Sequence, residues 1–149
     1  MTEIPAKLQE IVEDVSSITD RNERIEYLIE MADRFDEVKV PADISVRPHD
    51  EEHHVKFCES DAYVWATERP DGTLDFSFDV LNPQGLSAMA MAVILGDTLN
   101  GQPLEQVEAI NTDLVFKIFG QEISMGKGQG LMGIINMIRE EAHKRRAAS

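Results

Sequence analysis

With 149 residues, 42% of them apolar and 28% charged, the chain is long enough for one globular domain that buries about two-thirds of its unfolded surface without a staple. A formal net charge of −14 repels phosphate backbones and anionic lipid surfaces, so nucleic acid and membranes are not expected partners. No apolar run approaches the roughly 20 residues of a membrane span, Met1-Thr2-Glu3-Ile4-Pro5 lacks the pattern of a signal peptide, and a single cysteine fits a reducing cytoplasm.

In chain order the sequence first predicts two amphipathic helices. Ile4, Leu8, Ile11, Val12, Val15 and Ile18 recur at spacings of three and four and so share a face. Asp20 followed by Glu23 opens the second helix in the manner of a capping box, with Ile25, Leu28, Ile29, Ala32 and Phe35 as its buried stripe. Residues 36–52, with Pro41, Pro48 and many acids, read as a loop over the surface. An antiparallel meander of three short strands follows, at Val55–Cys58, Ala62–Thr67 and Thr73–Val80, with Pro70-Asp71-Gly72 turning between the last two.

Asn82 as cap and Pro83 in the first turn precede a mostly buried helix over Leu86–Leu99. Gly101-Gln102-Pro103 ends it and starts a short helix to Ala109; Asn111 or Thr112 caps another that stops at Gly120. Gly126-Lys127-Gly128-Gln129-Gly130 reads as a glycine-rich loop before the last helix, whose Leu131, Ile134, Ile135 and Ile138 point inward. Helices, then strands, then helices, with no repeat and no linker, predict a single α+β domain over residues 1–149.

Most motifs dissolve on inspection. Gly128-Gln129-Gly130-Leu131-Met132-Gly133 spells G-x-G-x-x-G, but a dinucleotide site needs a following strand and an acid about 20 positions on, and only a helical tail remains. Strand alternation puts His54 and Cys58 on one face and His53 on the other, too few ligands for a metal. No Ser/His/Asp arrangement is legible. Met89, Met91, Met132 and Met137 fall on helices as core filler.

Cys58 is what remains. One thiol forms no internal disulfide and cannot by itself anchor a structural zinc or an iron–sulfur cluster. It is left as an inert core side chain, an oxidation sensor, or a nucleophile that carries something. Sulfur relay between proteins needs one thiolate and no resolving cysteine. Lys56 and Lys127 are the cations expected to favour that thiolate, against Glu59 and Asp61.

Val55-Lys56-Phe57-Cys58-Glu59-Ser60-Asp61-Ala62-Tyr63 resembles the cysteine-loop motif of the SufE family, V-x-G-C-x-S-x-V-W. Leu8–Asp14 is similar to the family's start and Arg21–Arg34 to its second helix. Asp71-Gly72, Asp79, Gly85, Asn100-Gly101 and Pro103 match its middle, and Gly126–Leu131 falls where the family has S-R-[ST]-x-G-L. Phe57 stands at the family's glycine, Lys56 at its frequent proline and Lys127 at its arginine. The resemblance implies a three-stranded antiparallel sheet packed with N- and C-terminal helices. It also implies a non-autonomous sulfur acceptor that takes a persulfide onto Cys58 and stimulates its donor, a SufS-like cysteine desulfurase. The sulfur then goes to a SufBCD-like scaffold complex for iron–sulfur cluster assembly. Pyridoxal phosphate belongs to the donor, and this chain needs no cofactor or metal of its own. Lys127, Lys56, Glu59 and Ser60 are the expected supporting residues, and Phe57, Asp61, Gly126, Gly128 and Gly130 the expected partner contacts. The competing expectations are a thiol redox sensor or interaction module, and an iron–sulfur scaffold.

Overall fold

A computed structural model describes residues 3–56, 58, 60–121 and 123–148. Among these residues six α-helices and two strands run in the order α1 (Ala6–Ser17), α2 (Arg21–Ala32), β1 (Ala62–Glu68), β2 (Leu74–Val80), α3 (Leu86–Leu99), α4 (Leu104–Glu108), α5 (Asp113–Phe119) and α6 (Met125–Ala148). None of these helices is long and apolar enough to cross a membrane. The class is α+β, as expected, but the sheet has two strands, paired antiparallel from Ala62 opposite Val80 to Glu68 opposite Leu74.

The expected first strand shrinks to a single bridge, His54 opposite Tyr63, beside a bond from the Val55 N–H to the Ala62 carbonyl (2.8 Å). The physical reason is the connection: among the described residues Lys56 and Ser60 are in turns and the Cys58 carbonyl accepts from Asp61 N–H, so this stretch is used in turning toward β1. On the far edge Lys39 bridges Phe78 in parallel, through Val40 N–H to Phe78 C=O (2.7 Å) and Phe78 N–H to Val38 C=O (2.9 Å). Residues 36–52 therefore do more than cross the surface.

One sheet face, with Val64, Phe76, Phe78 and Val80, joins Met91, Ile94, Leu95, Leu131 and Ile135 in the main core. Helix α3 is buried nearly all round because it lies between α2, β2, α1 and α6, which explains its near-continuous apolar run. The other face carries Tyr63 and Trp65, buried with Val40 in a separate cluster under the 41–50 strap and the Glu51–His53 turn. Covering both faces is why β1 reads as a continuous apolar stretch.

Asp20 caps α2 as expected, accepting from Asn22 N–H (2.8 Å) and Glu23 N–H (3.1 Å). Its expected buried stripe holds in part: Ala32 and Phe35 are buried and Leu28 packs against the core, while Ile25 and Ile29 are 44% and 40% exposed, because nothing packs over them. Asn82 accepts from Gln84 N–H (2.9 Å) in a turn, and α3 starts later, after Gly85. Residues 126–130 are the first turns of α6 and not a loop, with Ser124 receiving Lys127 N–H on Oγ (3.3 Å) and Gly128 N–H on its carbonyl (2.8 Å).

Candidate functional site

The loop that carries Cys58 is closed by backbone bonds on three sides. Val55 N–H reaches Ala62 C=O at its base, Asp61 N–H reaches Cys58 C=O (3.1 Å), and Leu81 and Asn82 N–H reach the carbonyls of Asp61 (3.1 Å) and Ser60 (3.2 Å). Among the described residues of the reversal one is left-handed, Asp61 at φ 51°, a conformation that aspartate tolerates better than most side chains. Its carboxylate meets His54 Nε2 at 3.2 Å. Phe57 and Glu59 lie outside the described residues.

Two glycines let the loop sit flush on the helices. A Cβ at Gly130 of α6 would stand 3.1 Å from both Sγ and Cα of Cys58, and one at Gly85, before α3, would stand 2.8 Å from Ser60 Cβ. Close approach, rather than flexibility, is what those positions supply. The thiol is thereby half-buried, over a cleft of about 300 Å³ between α2, α3 and α6. Leu28, Ala88 and Leu131 wall the cleft, and the exposed Ile25, Ile29 and Leu86 (46%) form its rim. Lys127 is its one charged lining side chain among the described residues.

The expected residues separate accordingly. Cys58, Ser60, Gly126, Lys127 and Gly130 line one cleft. Lys56 lines a neighbouring one, with Glu51, His54 and Glu140, while Asp61 faces His54, and Gly128 is buried beside Ile123 and Met132. The aliphatic rim is what sequence reading missed: a helical stripe reports a shared face, not whether it is covered. Chemically, the site offers a partly accessible thiol, an apolar space able to receive a polarizable sulfur atom, and one cation nearby. No group of three or more His, Cys, Asp or Glu among the described residues is placed to hold a metal.

The tertiary structure does assemble a Ser/His/Asp chain that was not legible. Ser45 Oγ lies 2.7 Å from His49 Nδ1, and His49 Nε2 lies 2.8 Å from Asp79 Oδ2. With an ionised carboxylate accepting, Nε2 carries the proton and Nδ1 is left for the Ser45 hydroxyl. The His49 side chain is 1% exposed, edge-on to Tyr63 and Trp65 at 5.0 and 4.7 Å between centroids. Asp79 is also gripped by Arg47, Nε to Oδ2 at 2.8 Å and Nη2 to Oδ1 at 2.9 Å. Burial pushes the Asp79 carboxyl up, but the hydrogen bonds from Arg47 and His49 outweigh it and hold it at about 2. A histidine sealed under two aromatic rings reaches no substrate, so this chain of bonds anchors the strap over the sheet.

Comparison with known proteins comes to the same family from outside the site. Residues 9–142 match the model of SufE, described as an Fe-S metabolism associated domain. An uncharacterized SufE-like protein of Rhizobium etli is 26% identical over 148 residues, spanning 96% of this chain and 94% of the relative. The solution structure of a hypothetical protein from Thermus thermophilus superposes with a TM-score of 0.69 at 20% identity, covering 97% of this chain and 98% of that one, which is a likeness of fold.

Proposed function

The chain belongs to the SufE family, associated with iron–sulfur metabolism, and from that premise we propose that it is a sulfur acceptor in which Cys58 takes a persulfide from a cysteine desulfurase. The observation that carries this reading is the placement of the chain's one thiol at the mouth of an apolar cleft with an exposed aliphatic rim. In the transfer, the Cys58 thiolate attacks the outer sulfur of the donor's persulfide. The donor's S–S bond breaks, its cysteine leaves as thiolate, and Cys58 holds the new S–S bond. Pyridoxal phosphate stays with the donor, which regains a free thiolate for its next turnover; faster unloading is how an acceptor would stimulate it.

The rim of Ile25, Ile29 and Leu86 suits docking of the donor's thiol-bearing segment, since exposed aliphatics beside a reactive group mark contact surface. Lys127 offers its charge where thiolates meet. Onward delivery to a scaffold complex completes the role. The test is intact mass after incubation with desulfurase and cysteine: the wild type gains sulfur, and the folded Cys58→Ser variant gains none and no longer stimulates the donor. A wild type that stays sulfur-free through many desulfurase turnovers overturns the reading.

A further inference from the structure

The Cys58 loop has a side-chain closure besides its backbone bonds, and His54 supplies it. The chain enters the loop from the Glu51–His53 turn and leaves it into β1, and His54 stands where the two limbs meet. It bridges Tyr63 through the backbone, and its ring is tilted against the Tyr63 ring at 4.8 Å between centroids. Its Nε2 lies 3.2 Å from Oδ1 of Asp61, the left-handed residue whose N–H donates to the Cys58 carbonyl (3.1 Å). Its Nδ1 lies 3.5 Å from Oε2 of Glu51, in the turn before the loop. One imidazole spans the entry and the exit of the loop.

A carboxylate at each ring nitrogen makes that span depend on a proton. Ionised carboxylates only accept hydrogen bonds, and a neutral imidazole has a single N–H. With that N–H given to Asp61, the bare Nδ1 confronts the Glu51 carboxylate; the other tautomer only moves the conflict to Asp61. The imidazolium donates at both nitrogens and joins the two limbs. Among the described residues, Glu52 and Glu140 of α6 line the groove beside His54 together with the cation Lys56. His53 is engaged elsewhere, with Nδ1 at 3.0 Å from Val64 C=O, Nε2 at 3.2 Å from Glu52 and its ring stacked on Trp65.

We propose that His54 is a positioning residue for Cys58, a clasp closed by a proton. The imidazolium ties Asp61 to Glu51 and keeps the thiol in its half-buried seat against Gly130. Loss of the proton releases one limb, and the loop is then free to present the thiol. That the clasp governs when Cys58 meets a sulfur donor rests on the persulfide reading above; the clasp itself needs no sulfur chemistry, and its test uses none. Glu51 and Asp61 are exposed, so the closure is worth no more than an exposed ion pair.

The test times alkylation of Cys58 by iodoacetamide between about pH 5.5 and about pH 7.0, where histidine side chains change charge and thiols stay largely protonated. Each rate on the folded protein is divided by that of the same chain unfolded in urea at the same pH, which removes the thiolate's own dependence on pH. The ratio should rise by about twofold to fivefold across the range. His54→Gln, which still offers Asp61 an amide donor but takes up no proton, should give a flat ratio. Glu51→Gln should do the same, because its amide can donate to the bare Nδ1 of the neutral ring. Circular dichroism checks both folds; Glu51 is 87% exposed, so its variant decides if His54→Gln unfolds. A flat ratio in the wild type overturns the proposal, as does a slope that survives in a folded variant. A ratio that rises toward acid also overturns it, since the imidazolium would then be acting on the thiolate through charge and not through the loop.

Discussion

Asp79 is a carboxylate kept ionised at 1% exposure, because a bidentate guanidinium and a histidine N–H replace the water it has lost. Its carboxyl titrates at about 2 in the fold against 3.8 ordinarily, so folding favours the ionised form. That contribution is complete above the unfolded value and is lost as pH falls through about 2; the shift corresponds to about 2 kcal/mol. Asp79→Asn should therefore destabilise by about 2 kcal/mol at pH 7 and by progressively less toward pH 2. Urea unfolding of both proteins across that range measures it. A gap that stays constant with pH would mean that the loss comes from packing and not from charge.

Helix α6 turns on its glycines, which have separate tasks at positions that look alike in sequence. A Cβ at Gly128 meets nothing closer than 3.9 Å, so Gly128→Ala should gain helix propensity and stabilise by about 0.5–1 kcal/mol. At Gly133 a Cβ would stand 2.6 Å from Cγ1 of the fully buried Val55, and Gly133→Ala should cost about 1–3 kcal/mol. Gly130→Ala lies between: the same propensity gain opposes a 3.1 Å contact with Cys58, so stability should change little, and on the proposed function the displaced loop should accept sulfur more slowly. Thermal midpoints of the three variants, with sulfur loading of the last, separate these effects. Equal midpoints for Gly128→Ala and Gly133→Ala would refute the close approach of α6 to the loop's base.

Across the whole molecule, the −14 charge is spread over a surface with few strong local compensations among the described residues. Arg34 bridges Glu37 (2.9 Å) and Asp97 (2.8 Å), and Glu108 receives His143 and Arg146, but exposed pairs of this kind are worth about 0–1 kcal/mol each. Self-repulsion should dominate. The thermal midpoint should rise by several degrees as sodium chloride goes from about 0.01 M to about 0.5 M. A midpoint that falls with salt would show that the local pairs outweigh the net charge.

Periodicity and turn chemistry carried much of this fold. The face of α1, the span of α3, the Asp20 cap and the turn at Pro70-Asp71-Gly72 all depend on near neighbours in sequence, where spacing alone decides, and the uniqueness of Cys58 is read from composition. What depended on distant packing was decided by the tertiary structure. The stripe with Ile25 and Ile29 is helical but uncovered, since periodicity names a face without saying what lies against it. Residues 126–130 are helical despite three glycines, of which Gly130 supplies the backbone without a side chain that the close approach of Cys58 requires. Ser45, His49 and Asp79 meet only once the strap folds over β2, a contact across 30 residues that no local signal encodes.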